Sequence, residues 1–229
     1  MDAAYRIGEL VAAREIAPPR PTTIEGRSVR LVSLDPAAHA AALFDELQGP
    51  GADPLMWDYL GYGPFADVDT FTQTLNGFAA SADPLWFAFV DAGTDQSVGM
   101  GGYLRIDRAN RVIEIGHLCF GRSMQRATAA TETIYLLIRH AFDLGYRRVE
   151  WKCNDLNERS KRAALRFGFT YEGTFRQHMI VRGRNRDTAW FAIVDGDWPA
   201  IQERFEAWLA PGNFDAAGQQ RTRLHAPDT

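Results

Sequence analysis

Apolar and polar positions recur with a readable period along most of the chain, and the period changes where one element gives way to the next. Residues 29–32 alternate as a strand, and Asp35-Pro36 then caps a helix carrying Ala38, Ala41, Leu43, Phe44 and Leu47. Gly49-Pro50-Gly51 breaks that helix, and residues 55–65 are rich in aromatics but punctuated by glycine and proline, the pattern of a loop with sticky side chains. Asp67 is placed to cap a second helix reaching about Ala80, and residues 85–90 read as a buried strand. Turns at 93–95 and 108–110 separate two further strands at 97–106 and 112–120, completing a meander.

Beyond the meander the period becomes helical. Ala127, Ala130, Ile134, Leu137, Ile138, Ala141 and Phe142 form one apolar stripe that ends at Gly145. Residues 147–152 predict a strand, and Asn157 opens a short helix that Gly168 stops. A hairpin follows, with strands at 171–181 and 187–194 around a turn at 182–185, and residues 198–209 predict a last helix. Residues 1–21 end in Ala17-Pro18-Pro19-Arg20-Pro21 and read as a helical scrap followed by an extended arm; the tail beyond Pro211 reads as polar and frayed. The order β-α-α-β-β-β-α-β-α-β-β-α, with no repeat or linker, predicts one α+β domain with a mixed sheet.

Composition narrows the class. The 229 residues are 46% hydrophobic and 24% charged, ordinary for a folded globular chain. No apolar stretch is long enough for a membrane span, and the start lacks a signal-peptide pattern. With only Cys119 and Cys153 and no glycosylation acceptor, the expected location is the cytoplasm. There is no phosphate-binding G-x-x-x-x-G-K-[ST], no C-x-x-C, no H-E-x-x-H and no G-x-S-x-G, and the five histidines show no ligand spacing, so no metal is expected. Gly99-Met100-Gly101-Gly102 lies within a strand, where close packing or a bulge explains it better than a ligand.

The net charge of −4 argues against a nucleic-acid partner, yet it conceals an asymmetry. Residues 122–186 hold 14 Lys/Arg against 6 Asp/Glu, and the remainder holds 11 against 23. The basic part either meets an anionic ligand or is a solvated face. The junction from Glu114 to Glu132 favours a ligand: small residues at 127, 129 and 130 leave room at the first turn of the long helix, where free N–H groups and the helix dipole attract an anion. Arg122 and Arg126 stand beside it, although a plain strand-to-helix connection would also tolerate small residues.

At this junction the sequence resembles the GNAT superfamily of acyl-CoA-dependent N-acyltransferases, and in particular its RimJ/RimL-like branch. The family's Q/R-x-x-G-x-G/A turn corresponds to Gln125-Arg126-Ala127-Thr128-Ala129-Ala130, followed by Thr131-Glu132. Glu114-Ile115-Gly116, Asn157-x-x-Ser160 and Phe167-Gly168-Phe169-x-Tyr171-Glu172-Gly173 agree at the right distances. Thr128 departs from the pattern, standing where the family has its first glycine.

The resemblance implies a GNAT-like fold over residues 24–210: a mixed, mostly antiparallel sheet flanked by helices, splayed between its fourth and fifth strands (112–120 and 147–152). Residues 1–23 are then an N-terminal extension and 211–229 a tail. It implies coenzyme A binding by the backbone of Leu118, Cys119 and Phe120, with the pyrophosphate cradled by Gln125, Arg126, Ala127, Thr128, Ala129 and Ala130 and support from Asn157 and Ser160. Ser160 would protonate the departing thiolate, with helix-start packing as its competing role, and Asn157 would cap its helix or bind pantetheine.

A regular strand would put Glu114 on one face with Gly116, Leu118 and Phe120, and His117 on the other. In that setting Glu114 reads as a base, or else as a member of a structural ion pair. Cys119 reads as a buried thiol. Trp57, Tyr59 and Tyr62 lie where the family builds its acceptor side, or simply pack on the sheet. The implied activity is transfer of an acyl group, most simply from acetyl-CoA, directly to a primary amine of a small molecule or a protein N-terminus. A non-catalytic acyl-CoA-binding module is the alternative. A groove lined by the acidic remainder would suit cationic acceptors, and the resemblance also allows a homodimer.

Overall fold

Among the described residues eight strands form one sheet in the order β1-β2-β3-β4-β5-β6-β8-β7. They are β1 (Ile24–Glu25), β2 (Val29–Ser33), β3 (Leu85–Asp91), β4 (Ser97–Asp107), β5 (Val112–Phe120), β6 (Arg148–Asn154), β7 (Thr170–Val181) and β8 (Arg184–Val194). Among the described residues five α-helices complete the fold: α1 (Pro36–Gln48), α2 (Val68–Ala79), α3 (Thr128–Asp143), α4 (Glu158–Arg166) and α5 (Trp198–Leu209). This computed structural model describes residues 8–216 and 218–224. All neighbouring strands are antiparallel except β5 and β6, which α3 connects in parallel.

The expected helix starts are present for the expected reason. Asp35 accepts from the Ala37 amide, Asp67 from the Thr70 amide and Asn157 from the Ser160 amide, each satisfying a donor that the first turn leaves free. Three expectations are corrected. Residues 8–20 form no helix, and the arm instead lays Ile16 into the core while Arg108 donates to its carbonyl; residues 1–7 lie outside the described part. The β7–β8 turn is only Arg182-Gly183, both with positive φ, a two-residue geometry that lets β8 begin at Arg184 rather than 187. The tail is tied back as far as Leu224: Trp208 donates to Gln220, and Asn213 bonds Trp208 and Thr222.

Two cores lie on opposite faces of the sheet. One packs α3 and α5 against Leu31, Phe87, Phe89, Ile113, Ile115, Val149 and Phe191. The other packs α1 and α2 against Trp86, Ala88, Met100 and Cys119. The sequence pattern shows α3 as one stripe, but Thr131, Glu132, Thr133, Tyr135 and Leu136 are buried as well, because the helix is enclosed by α5 and the first strands in addition to the sheet. The glycines of β4 serve close packing, as expected: a Cβ on Gly99 would come 2.7 Å from the Cys119 carbonyl oxygen.

Glu132 explains why a carboxylate follows the first turn of α3. It is buried, and it accepts the amides of Arg27 and Ser28, each at 2.8 Å, and the Ser28 hydroxyl, fixing the turn between β1 and β2. Replacing Glu132 by Ala leaves those donors unsatisfied and is expected to cost about 3 kcal/mol. Urea unfolding checks this, and an unchanged midpoint contradicts it.

Candidate functional site

The parallel pairing of β5 with β6 runs only from Val112 opposite Arg148 to Ile115 opposite Trp151. Beyond it the strands part, so from Gly116 to Phe120 the edge of β5 facing β6 has no strand partner, while its other edge stays bonded to β4. A sheet edge opened in the middle of a sheet offers unsatisfied backbone groups to a ligand rather than to solvent alone. Leu118, Cys119 and Phe120 lie on this edge.

Strand β5 is not regular. Gly116 pairs with Gly102 and Cys119 with Met100, so His117 and Leu118 together oppose Gly101 alone, and His117 takes a φ of +55°. The extra residue resets the alternation. Leu118 and Phe120 therefore join Ile113 and Ile115 on the α3 side, and Cys119 faces α1 and α2. Glu114 does not share a face with Leu118 and Phe120, and His117 does not turn away toward the α3 side. Its ring stacks on Tyr62 and lies 4.7 Å from the Trp86 ring, with Nδ1 3.3 Å from the Tyr62 hydroxyl. His117, which a regular strand would put on the face away from Glu114, is brought by the bulge to the side of Tyr62 and Trp86. The signal was present in the apolar spacing 113, 115, 118, 120, which breaks period two at the bulge.

Glu114 falls into the ion pair that its sequence context left open. Its Oε2 lies 2.7 Å from Arg105 and 2.9 Å from Lys152. Lys152, only 3% exposed, also holds Glu150 and sits 3.8 Å over the Trp190 ring. Arg148 binds both Glu150 and Glu172, so the chain of charges crosses from β5 to β7.

On the far side of the gap, Ser160 stands in the first turn of α4. Its Oγ accepts the Trp151 indole N–H at 2.9 Å, and its hydroxyl lies within hydrogen-bonding reach of the Cys153 thiol. Between β5 and α3 the loop 121–127 turns through Arg126 at φ +63°, and Ala127 supplies no side-chain cap to α3. The amides at Thr128, Ala129 and Ala130 open the helix without an intrahelical acceptor. Gln125 and Arg126 are exposed beside them, and among the described residues Arg126 forms no ion pair. Arg122 does not face this turn freely: it is bound to Asp45 and Glu46 of α1. Arg159 and Lys161 are likewise held, by Asp53 and by Asp155 and Glu158.

The aromatic loop divides. Trp57 is 3% exposed and packs edge-on against Tyr62 and Phe65, so it belongs to the α1–α2 core and not to an open surface. Tyr59 donates to the Leu156 carbonyl, 3.2 Å away, tying the loop to the segment before α4. Tyr62 reaches the β5 bulge, and Arg182 at the tip of the β7–β8 hairpin donates to its carbonyl at 2.9 Å. Cys119 is fully buried, and burial pushes its thiol up to about 12, so it stays protonated at neutral pH. Among the described residues no cluster of three His, Cys, Asp or Glu side chains is placed to hold a metal ion, and no helix is long and apolar enough to cross a membrane.

Residues 29–170 match the acetyltransferase (GNAT) domain family. A GCN5-related N-acetyltransferase from Brucella melitensis is 45% identical, with a TM-score of 0.89 over 92% of this chain and 95% of that one. A probable acetyltransferase of the GNAT family from Chromobacterium violaceum is 40% identical, with a TM-score of 0.78 over 86% of this chain and 98% of that one. The Uncharacterized N-acetyltransferase p20 of Bacillus licheniformis is 27% identical over 64% of this chain and 84% of its own length.

Burial lowers the His117 pKa from 6.5 to about 4, with repulsion from Arg105 and Arg186 adding to it. The unfolded chain therefore binds a proton on this residue across that interval while the folded chain does not. The stability it contributes is complete above pH 6.5 and is lost as pH falls through about 4, a span of about 3 kcal/mol. Urea unfolding of wild type and His117→Gln at pH 7 and pH 4.5 should show a smaller acid-dependent loss in the variant; equal losses contradict the assignment.

Proposed function

The chain belongs to the GNAT acetyltransferase family and is an N-acetyltransferase, and from that premise we propose that it carries an acetyl group from acetyl-CoA directly to a primary amine of a small molecule or a protein N-terminus. We assign it to the RimJ/RimL-like branch, with residues 24–210 as the acyltransferase domain, residues 1–23 as an extension and 211–229 as a tail. The reading extends to a cytoplasmic enzyme able to form homodimers.

The observation that carries the proposal is the opened edge of β5 followed, across the loop 121–127, by an uncapped helix start. A pantetheine arm needs amide partners in extended geometry, which Leu118 to Phe120 offer, and a pyrophosphate needs converging N–H donors, which Thr128, Ala129 and Ala130 offer. Thr128 fits this role as a half-buried N1 residue whose hydroxyl adds a donor in place of the space a glycine would leave. Gln125 and Arg126 would flank the phosphates, and Asn157 fixes the first turn of α4, which carries Ser160, by accepting the Ser160 amide.

Acetyl-CoA supplies the activated thioester when bound. The chain's own groups do the rest. An amide of the β5 edge polarises the carbonyl as negative charge develops on its oxygen. The neutral amine attacks the thioester carbon and forms the C–N bond as the C–S bond breaks; the Ser160 hydroxyl donates its proton to the departing sulfur, and the proton shed by the nitrogen passes to solvent water, from which Ser160 is reprotonated. Trp151, by donating to Ser160 Oγ, orients that proton and makes it a better donor. Tyr62 and Tyr59 border the acceptor side. Glu114, committed to Arg105 and Lys152, serves the electrostatics of the site rather than proton removal.

Free-thiol release from acetyl-CoA against a panel of primary amines tests the activity, alongside thermal shifts with acetyl-CoA and dephospho-CoA. Acetyl-CoA at a hundredfold excess over Kd should stabilise the fold by about 2.7 kcal/mol. Ser160→Ala should lower kcat by about 100-fold with a much smaller change in the KM for acetyl-CoA. Cofactor binding with no amine-stimulated release would mark a non-catalytic acyl-CoA-binding module, and no thermal shift at all would overturn both readings.

A further inference from the structure

The sheet face that carries Glu114 holds an unbalanced charge. Arg105, Lys152 and Arg148 are matched on it by Glu114, Glu150 and Glu172 through ion pairs of up to 2.9 Å. Arg186 is not matched. It is half-buried on β8, its side chain forms no ion pair or hydrogen bond among the described residues, and its Nε is buried without a partner. Burial penalises its charge, and it lies close enough to Arg105, Glu114 and His117 for their charges to act on one another. Desolvating a guanidinium beside a second cation is unfavourable unless something negative comes to it.

Other orphan groups around this face have the same chemistry. Strand alternation puts Arg186 and Trp190 on one side of β8, and the Trp190 indole N–H is buried without an acceptor beneath Lys152. The Trp86 indole N–H, beside His117, is likewise unsatisfied. All three are donors, so the complementary ligand is one that brings acceptor oxygens. The hairpin that carries Arg186 is also clasped to the acceptor loop, through Arg182 and the carbonyls of Tyr62 and Gly63. Arg186 thereby belongs to the acceptor side, on the opposite side of β5 and β6 from the core that contains α3.

Resting on the acyltransfer reading above, we propose that the acceptor is an amine that also carries an oxyanion, a carboxylate or a phosphate, which Arg186 binds while the nitrogen is presented at the β5 bulge. This reverses the expectation of a cationic acceptor drawn from the acidic remainder of the sequence, because the carboxylates nearest the gap are already spent on Lys152, Arg105 and Arg148. Specificity arises because a neutral amine leaves the Arg186 charge and its buried N–H unanswered.

Matched amines separate the possibilities: phenylalanine against 2-phenylethylamine for a carboxylate, and phosphoethanolamine against ethanolamine for a phosphate. In at least one pair the anionic member should have a kcat/KM about 10- to 100-fold higher, mostly through KM. The pair that shows it identifies the oxyanion. In Arg186→Gln the ratio should collapse toward one while the melting temperature holds or rises, since a half-buried charge without an ion-pair partner has been removed. Arg186→Lys, which keeps the charge, should retain part of the preference. Amine turnover with no preference for the anionic member, a preference that survives Arg186→Gln, or a preference lost equally in a folded Arg186→Lys overturns this proposal while leaving acetyl transfer intact. Absence of turnover with every amine, despite cofactor binding, strikes the acyltransfer reading instead.

Discussion

A strand in the middle of a sheet ordinarily has both edges satisfied, and the architecture here turns on one that does not. After Ile115, β5 keeps β4 and loses β6, so a run of backbone polar groups lies in the interior with no strand opposite. The divergence is possible because β5 and β6 are parallel and joined through a long helix, which holds their near ends together without requiring their far ends to meet. Everything proposed for the site follows from what stands around that opening: an uncapped helix at one end, Ser160 across it, and the bulge with its histidine along it.

The bulge is the second constraint, and it depends on the first. Inserting His117 turns Leu118 and Phe120 back into the α3 core, which anchors the unpaired stretch by its side chains while its backbone stays available. The same insertion brings the imidazole between Tyr62 and Trp86, where burial keeps it neutral. The opening is thus rigid on its apolar side and chemically dressed on its polar side.

The element order from β2 onward, the helix caps at Asp35, Asp67 and Asn157, and the splay were legible in the chain because each rests on local pattern or on a motif at fixed spacing, whereas the two-residue edge strand β1 is too short to show a period. The tail was misread because Asn213 and Gln220 look like solvent-facing polar residues until Trp208 supplies a partner. The parity of β5 was misread because an ideal alternation was assumed across Gly116-His117. The pairing of Glu114 was open because Lys152 and Arg105 come from different strands, and only the register brings them to one carboxylate. Arg186 carried no signal at all: one arginine among many in a basic segment becomes distinctive only when its neighbours prove to be matched with one another and it does not.

The clasp between the aromatic loop and the β7–β8 hairpin has a consequence for how such a molecule diversifies. Arg182 grips main-chain oxygens at positions 62 and 63, not the side chains there. Any residue has a carbonyl, so the identity of the lining can drift without unfastening the frame, and new tastes in substrate can be tried on a scaffold that stays shut.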